Sequence, residues 1–284
     1  LQVMAVPMTP PDDAAIIDEA AAAHSCTVIR AFARGGQKLV VLVDKSGDAV
    51  LKIVRVDANA TAEALKRAQR ESELLARTSN SHLVKGLSAA IELGSPVYAI
   101  CWLEQYLDGS DLKDLVSSPW SGPDAFVMAR DVSEALACLH GQGVVHRDLS
   151  AGNIRRLSNG RFMVMDPGFA RYLNLSGVTG IGQPGTPGFL TPEHVQQGIV
   201  PTCASDVFAL GILLWLTLTA ALPIPCGDAV QYADKLASSQ IPSIATVRRD
   251  LTQAQVLIVD RCLQRQLARR YFNGNEVLSA IEAL

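Results

Sequence analysis

Between Thr27 and Val56 the apolar positions gather into two runs, Leu39-Val40-Val41-Leu42-Val43 and Ala49-Val50-Leu51-Lys52-Ile53-Val54, split by the polar stretch Asp44-Lys45-Ser46-Gly47-Asp48. Aliphatic runs bounded by turn formers predict a two-stranded hairpin. From Ala62 to Ala76 the chain is dense in Ala, Leu, Glu, Lys and Arg and free of Gly and Pro. With Thr61 as its cap, this predicts a helix reaching about Thr78. Two further strands are predicted over Ala89 to Leu93 and Val97 to Leu103. After Gly109 the pattern turns helical, over Asp111 to Ser117 and Pro123 to His140, the latter with Val127, Val132, Leu136 and Leu139 assigned to one face. Upstream, residues 12 to 23 read as a short helix in a Pro-, Asp- and Ala-rich tail or docking segment that carries no chemistry. The run from Val207 to Leu222 lacks charge and is stopped by Pro223 and Pro225. At ~1.5 Å per residue it reaches about 24 Å, short of a ~30 Å bilayer core, and predicts a buried helix.

Strands first and helices afterwards predict an α+β fold of two lobes. The divisions expected are an N-terminal extension over 1–24, a β-rich lobe with one key helix over 25–107, and a larger helical lobe over 108–284. The turn from Leu107 to Gly109 is the expected joint. No internal repeat is visible.

Composition narrows the classes. The 284 residues are 49% apolar and 19% charged, which is globular and excludes a disordered or fibrous chain. Lys and Arg number 25 against 28 Asp and Glu, a net charge of -3 with no sustained run of one sign, so neither nucleic acid nor a membrane is an expected partner. The six cysteines form no C-x-x-C pair and read as reduced, mostly buried thiols of a cytoplasmic protein. The five histidines have no metal-ligand spacing, and no secretory leader is visible.

The chemistry concentrates in His146-Arg147-Asp148-Leu149-Ser150-Ala151-Gly152-Asn153, followed by Asp166-Pro167-Gly168. In order and interval these segments resemble the eukaryotic-type (Hanks-type) protein kinases, and the resemblance runs from about Cys26 to the C-terminus. It implies a bilobal kinase fold that transfers the γ-phosphate of Mg·ATP to serine or threonine hydroxyls of a protein substrate. Asp148 would orient the acceptor hydroxyl and take its proton. Asn153 and Asp166 would hold Mg²⁺ through hard oxygen donors. Lys52 stands mid-strand between apolar neighbours, where a cation needs a partner or a ligand; it resembles the lysine that touches the α- and β-phosphates. Its partner would be Glu71 on the first long helix, since Glu73 lies roughly 200° further round.

The phosphate-covering loop is weakly marked. Ala33-Arg34-Gly35-Gly36-Gln37-Lys38-Leu39-Val40 fits G-x-G-x-x-G-x-V only at its second glycine, Gly35, with Gly36 an additional one; Ala33 takes the first glycine's place. Val40 would cover the adenine and Leu107 would join the hinge, preceded by Leu103 or Glu104. Asp111 is placed either to hold the ribose or to cap a helix. Downstream, the segment from Gly185 to Glu193 resembles the end of an activation segment, with Thr191-Pro192-Glu193 for the usual Ala-Pro-Glu, and Thr186 stands where serine/threonine kinases keep a threonine. Structural roles are implied for His146, for Asp206 as acceptor of catalytic-loop hydrogen bonds, and for Arg270 as partner of Glu193. Arg147 beside Asp148 implies control by phosphorylation, with Ser176 and Thr179 as candidate sites, alongside an activating or regulatory protein.

Three departures from the family pattern stand out. Ser150 replaces the lysine that steadies the γ-phosphate, Pro167 replaces the phenylalanine of Asp-Phe-Gly, and the glycine loop is degraded. Proline at 167 is expected to bias Asp166 toward extended backbone. These features support an alternative, a pseudokinase that binds nucleotide or a partner as a scaffold. Gly152 offers no acidic side chain, so no preference for basic substrates follows.

Overall fold

The structure, a computed structural model, describes residues 12–32, 38–56, 62–167, 186, 188–196, 199–225 and 229–284. Their contacts form two compact units, one built on the described residues from 12 to 78 with Lys85–Tyr106, the other on Ser79–Val84, residues 107–167 and the described residues from 186 on.

The first unit holds helix α1 (Asp13–Ala23), strands β1 (Thr27–Ala31), β2 (Lys38–Asp44) and β3 (Asp48–Arg55), helix α2 (Ala62–Arg77), and strands β4 (Ile91–Leu93) and β5 (Ala99–Gln105). The strands form one antiparallel sheet in the order β1-β2-β3-β5-β4. The expected hairpin is β2–β3, closed at Asp44 opposite Asp48, with Gly47 at a φ of 133° and its N–H on Asp44 Oδ1.

The twofold alternation of a strand divides this sheet into two faces. Leu39, Val41 and Val43, with Ala49, Leu51 and Ile53, and Ala99, Cys101 and Leu103, pack on Ile16, Ile17, Ala20 and Ala21 of α1. Leu42, Lys52, Val54, Ile100, Trp102 and Glu104 belong to the other face and are buried too. Burial of both faces explains why the strands read as unbroken apolar runs. Of the two readings for residues 12 to 23, docking is the one observed: Asp12 caps α1 through the Ala15 N–H, Arg55 meets Asp13 at 2.5 Å, and Tyr98 donates to Glu19. In α2 the last turn lies on Gly86, where a β-carbon would come within 2.8 Å of the Ala76 nitrogen. Strand β4 is shorter than expected and β5 is displaced two residues downstream.

The second unit has a three-stranded sheet, β6 (Gly109–Asp111), β7 (Ile154–Leu157) and β8 (Phe162–Val164), and helices α3 (Leu112–Leu115), α4 (Gly122–Gly141), α5 (Pro192–Val195), α6 (Cys203–Thr219), α7 (Ala229–Ser238), α8 (Gln253–Cys262) and α9 (Gly274–Glu282). The helix expected over Asp111 to Ser117 is a single turn. Helix α6 is the apolar one expected, buried from Ala204 to Leu218 except at Leu216; among the described residues no helix is long and apolar enough to cross a membrane. One assignment on α4 is corrected. Val132, Leu136 and Leu139 are buried, whereas Val127 is 42% exposed, because five residues separate it from Val132, roughly 140° round the helix. Cys101 and Cys262 are buried free thiols whose pKa values burial pushes up to about 12; Cys26, Cys138 and Cys203 are half-buried, and Cys226 lies outside the described residues.

Candidate active site

In the helical unit the loop after α4 is pinned from below by one carboxylate. Asp206, in the first turn of α6, accepts the backbone N–H of His146 at 2.6 Å and of Arg147 at 2.9 Å. His140, near the end of α4, places Nε2 2.9 Å from the same carboxylate. Burial alone would raise the Asp206 pKa, but the hydrogen bonds it accepts from the His140 ring and from the Arg147 N–H hold it below the usual carboxylate range. For His140, burial lowers the pKa while Asp206 and Cys203 raise it, to about 9. Against that pull, the Gly274 N–H points at Nδ1 from 2.9 Å and needs the lone pair there. The geometry therefore holds the neutral Nε2–H ring, and protonation would cost the bond to α9.

His146 fixes the next step of the loop: Nε2 bonds the Met165 carbonyl at 2.9 Å and Nδ1 accepts the Asp148 N–H at 3.2 Å. Asp148 Oδ1 accepts from the Thr186 hydroxyl at 3.0 Å, and its carbonyl accepts from Asn153 Nδ2 at 2.7 Å. That bond orients the Asn153 side-chain amide, while the backbone carbonyl of Asn153 takes the Met165 N–H at 2.8 Å. Arg147 and Asp166 occupy positive φ, 64° and 53°, where non-glycine residues are strained by about 1–3 kcal/mol each. The extended backbone expected of Asp166 ahead of Pro167 is thus corrected: the His146 bond to Met165 and the Asn153 bond to the Met165 N–H fix the preceding residue, and this outweighs the local preference.

Further on, Glu193 is buried against Arg270 through bonds of 3.0 and 2.9 Å, and Thr191 donates to Glu193 at 2.9 Å. Burial would raise the Glu193 pKa, and Arg270, Ser205 and Thr191 together bring it below its ordinary value. Two members of this cluster were not foreseen. His194 reaches from α5 to the Arg147 carbonyl at 3.2 Å, and Tyr232 on α7 donates to the carbonyls of Gly188 and Leu190. Lone histidine and tyrosine residues in helical text carry no motif, so no sequence signal marks them. Asp111 precedes α3 but makes no side-chain cap; its carboxylate meets Arg155 at 2.9 Å. Leu107 and Ser150 are buried.

In the sheet unit, Lys52 is 5% exposed and its Nζ lies 2.5 Å from Glu104 Oε2. Trp102 donates from Nε1 to the other oxygen, Oε1, at 2.7 Å. Sequence reasoning considered Glu104 only for the hinge. The missed signal is a single acid at the end of an otherwise apolar strand, two residues from Trp102 and so on its face. Val40 lies opposite Lys52 in the β2–β3 register. Glu71 falls within α2, its side chain outside those described; Ala33, Gly35, Gly36, Ser176 and Thr179 lie outside the described residues.

Comparison with known proteins matches this arrangement. The family model described as protein kinase domain covers residues 34–277. A probable serine/threonine-protein kinase PknB of Lactococcus lactis is 28% identical over 89% of this chain and 41% of its own length. The serine/threonine-protein kinase PrkC of Bacillus subtilis is 26% identical over 90% of this chain and 39% of its own. The chain thus spans about two fifths of these curated relatives. The crystallised kinase domain of Mycobacterium tuberculosis PknI aligns with a TM-score of 0.69 at 21% identity, over 91% of this chain and 95% of that one, a likeness of fold. A β-sheet lobe followed by a helical lobe, the ordered loop around Asp148 and these matches make the chain a member of the protein kinase domain family.

Proposed function

We propose that the chain transfers the γ-phosphate of ATP to serine or threonine hydroxyls of a protein substrate. The observation that carries this reading is the placement of Asp148. Its carboxylate meets a threonine hydroxyl at 3.0 Å, as a base that orients an acceptor must, on a loop held by Asp206 and His146. Asn153 and Asp166 offer hard oxygen donors, the set that suits Mg²⁺, and they would hold the metal that neutralises charge on the phosphates. Fixation of Asn153 Nδ2 by the Asp148 carbonyl leaves the amide oxygen as its ligand atom, which supports that fit. Lys52 would contact the α- and β-phosphates, with Glu71 its partner on α2; Ala33, Gly35, Gly36 and Val40 would cover the nucleotide and Leu107 and Asp111 would hold its base and ribose. Ser176 and Thr179 are candidate sites for autophosphorylation or for an activating kinase.

The test is phosphate transfer from labelled ATP to generic protein acceptors, beside Mg·ATP binding. Asp148→Asn is expected to abolish transfer while Mg·ATP binding stays within twofold of wild type, about the noise of such a comparison. Wild-type binding without any transfer would reverse the reading in favour of a scaffold.

A further inference from the structure

We infer that Glu104 is a positioning residue for Lys52 that sets how strongly the ammonium attracts nucleotide phosphates. The inference rests on Lys52 being the phosphate contact proposed above. Across β3 and β5, Lys52 pairs with Trp102 and Val50 pairs with Glu104, so Lys52 and Glu104 are diagonal neighbours on one face. Such neighbours are ~7–8 Å apart at the backbone, a gap that two long side chains close. They close it to 2.5 Å, with both residues at most 5% exposed.

An ionised carboxylate only accepts hydrogen bonds, and each oxygen of Glu104 has its donor, Lys52 on Oε2 and the Trp102 indole on Oε1. All three side chains come from two paired strands. A polyphosphate that contacts Lys52 must share the ammonium with a carboxylate already touching it, and must approach that negative charge where water does not screen it. Glu104 therefore does two things at once. It holds the buried ammonium in place, and it weakens the hold of that ammonium on ATP.

The measurements are Mg·ATP affinity by calorimetry, kcat and KM for ATP and for a protein acceptor, and melting with and without Mg·ATP, on the whole chain. Glu104→Gln is expected to tighten Mg·ATP binding and lower KM for ATP by about tenfold, with smaller changes in kcat and in the KM of the acceptor. Its nucleotide-free form is expected to melt lower than wild type, and Mg·ATP is expected to raise its melting temperature by more. Trp102→Phe should act oppositely: without the indole donor the carboxylate leans harder on Lys52, and Mg·ATP binds more weakly. If Glu104→Gln folds and binds Mg·ATP no better than wild type, the inference is overturned; should that variant not fold, unchanged affinity in Trp102→Phe overturns it. Lys52→Met separates the two ideas. Undiminished Mg·ATP binding by that variant removes the phosphate role of Lys52 itself, whatever Glu104 does.

Discussion

The two units each bury an ion pair, and they hold it differently. In the helical unit, Arg270 meets Glu193 with two nitrogens, gives further bonds to the carbonyls of Ala204, Arg265 and Gln264, and lies 4.7 Å from the centre of the Phe208 ring. In the sheet unit, Lys52 meets Glu104 through one short contact. A guanidinium is a planar fork that a carboxylate can lock, whereas an ammonium is a compact charge on a flexible stem. The first pair is locked at both nitrogens, and on the function proposed above the second leaves its cation to be shared with a phosphate. Burial does not by itself tell the two kinds of ion pair apart; the geometry of the cation does.

The sharpest way to break this comparison is to remove each cation. Arg270→Leu strands a buried carboxylate and is expected to cost about 3–5 kcal/mol in urea unfolding. Lys52→Met is expected to cost less stability than Arg270→Leu, yet to lower phosphate transfer by about 10²-fold or more. Equal stability losses would erase the distinction. A second, smaller effect is set by pH. Glu193 and Asp206 have folded pKa values below their ordinary ones, so the unfolded chain takes up protons first as pH falls. Their contribution is complete above an ordinary carboxylate pKa of about 4 and is lost as pH drops below it. Unfolding free energies measured down from pH 7 should fall steeply there, and Glu193→Gln should be less stable at neutral pH with a flatter acid limb. The last contrast lies on α4, where the smallest effect of all belongs to Val127. Leu136→Ala is expected to cost about 2–5 kcal/mol, whereas Val127→Ala should stay within about 0.5 kcal/mol, which thermal melting distinguishes.

What was legible in the text depended on the range of the interaction that fixes it. Asp148, Asn153 and Asp166 sit in one short stretch whose order and intervals can be read directly. Lys52 was legible because a charge inside an apolar strand is anomalous locally. Its partner in the sheet was not, because the Lys52–Glu104 contact depends on the β3–β5 register, which the chain does not print. Asp166 shows the same limit in the backbone: the dipeptide preference points to extended geometry, and loop bonds made by His146 and Asn153 decide otherwise. Val127 shows it in a helix, where an apolar residue without a counterpart stays at the surface.

Helix α1 carries a practical consequence for anyone trimming the gene. The family match begins at residue 34, yet Ile16, Ile17, Ala20 and Ala21 share one buried cluster with ten strand residues of the sheet. An expression boundary drawn at the start of the match would strip a greasy lid from the β-layer, and one drawn ahead of Asp12 would keep it in place.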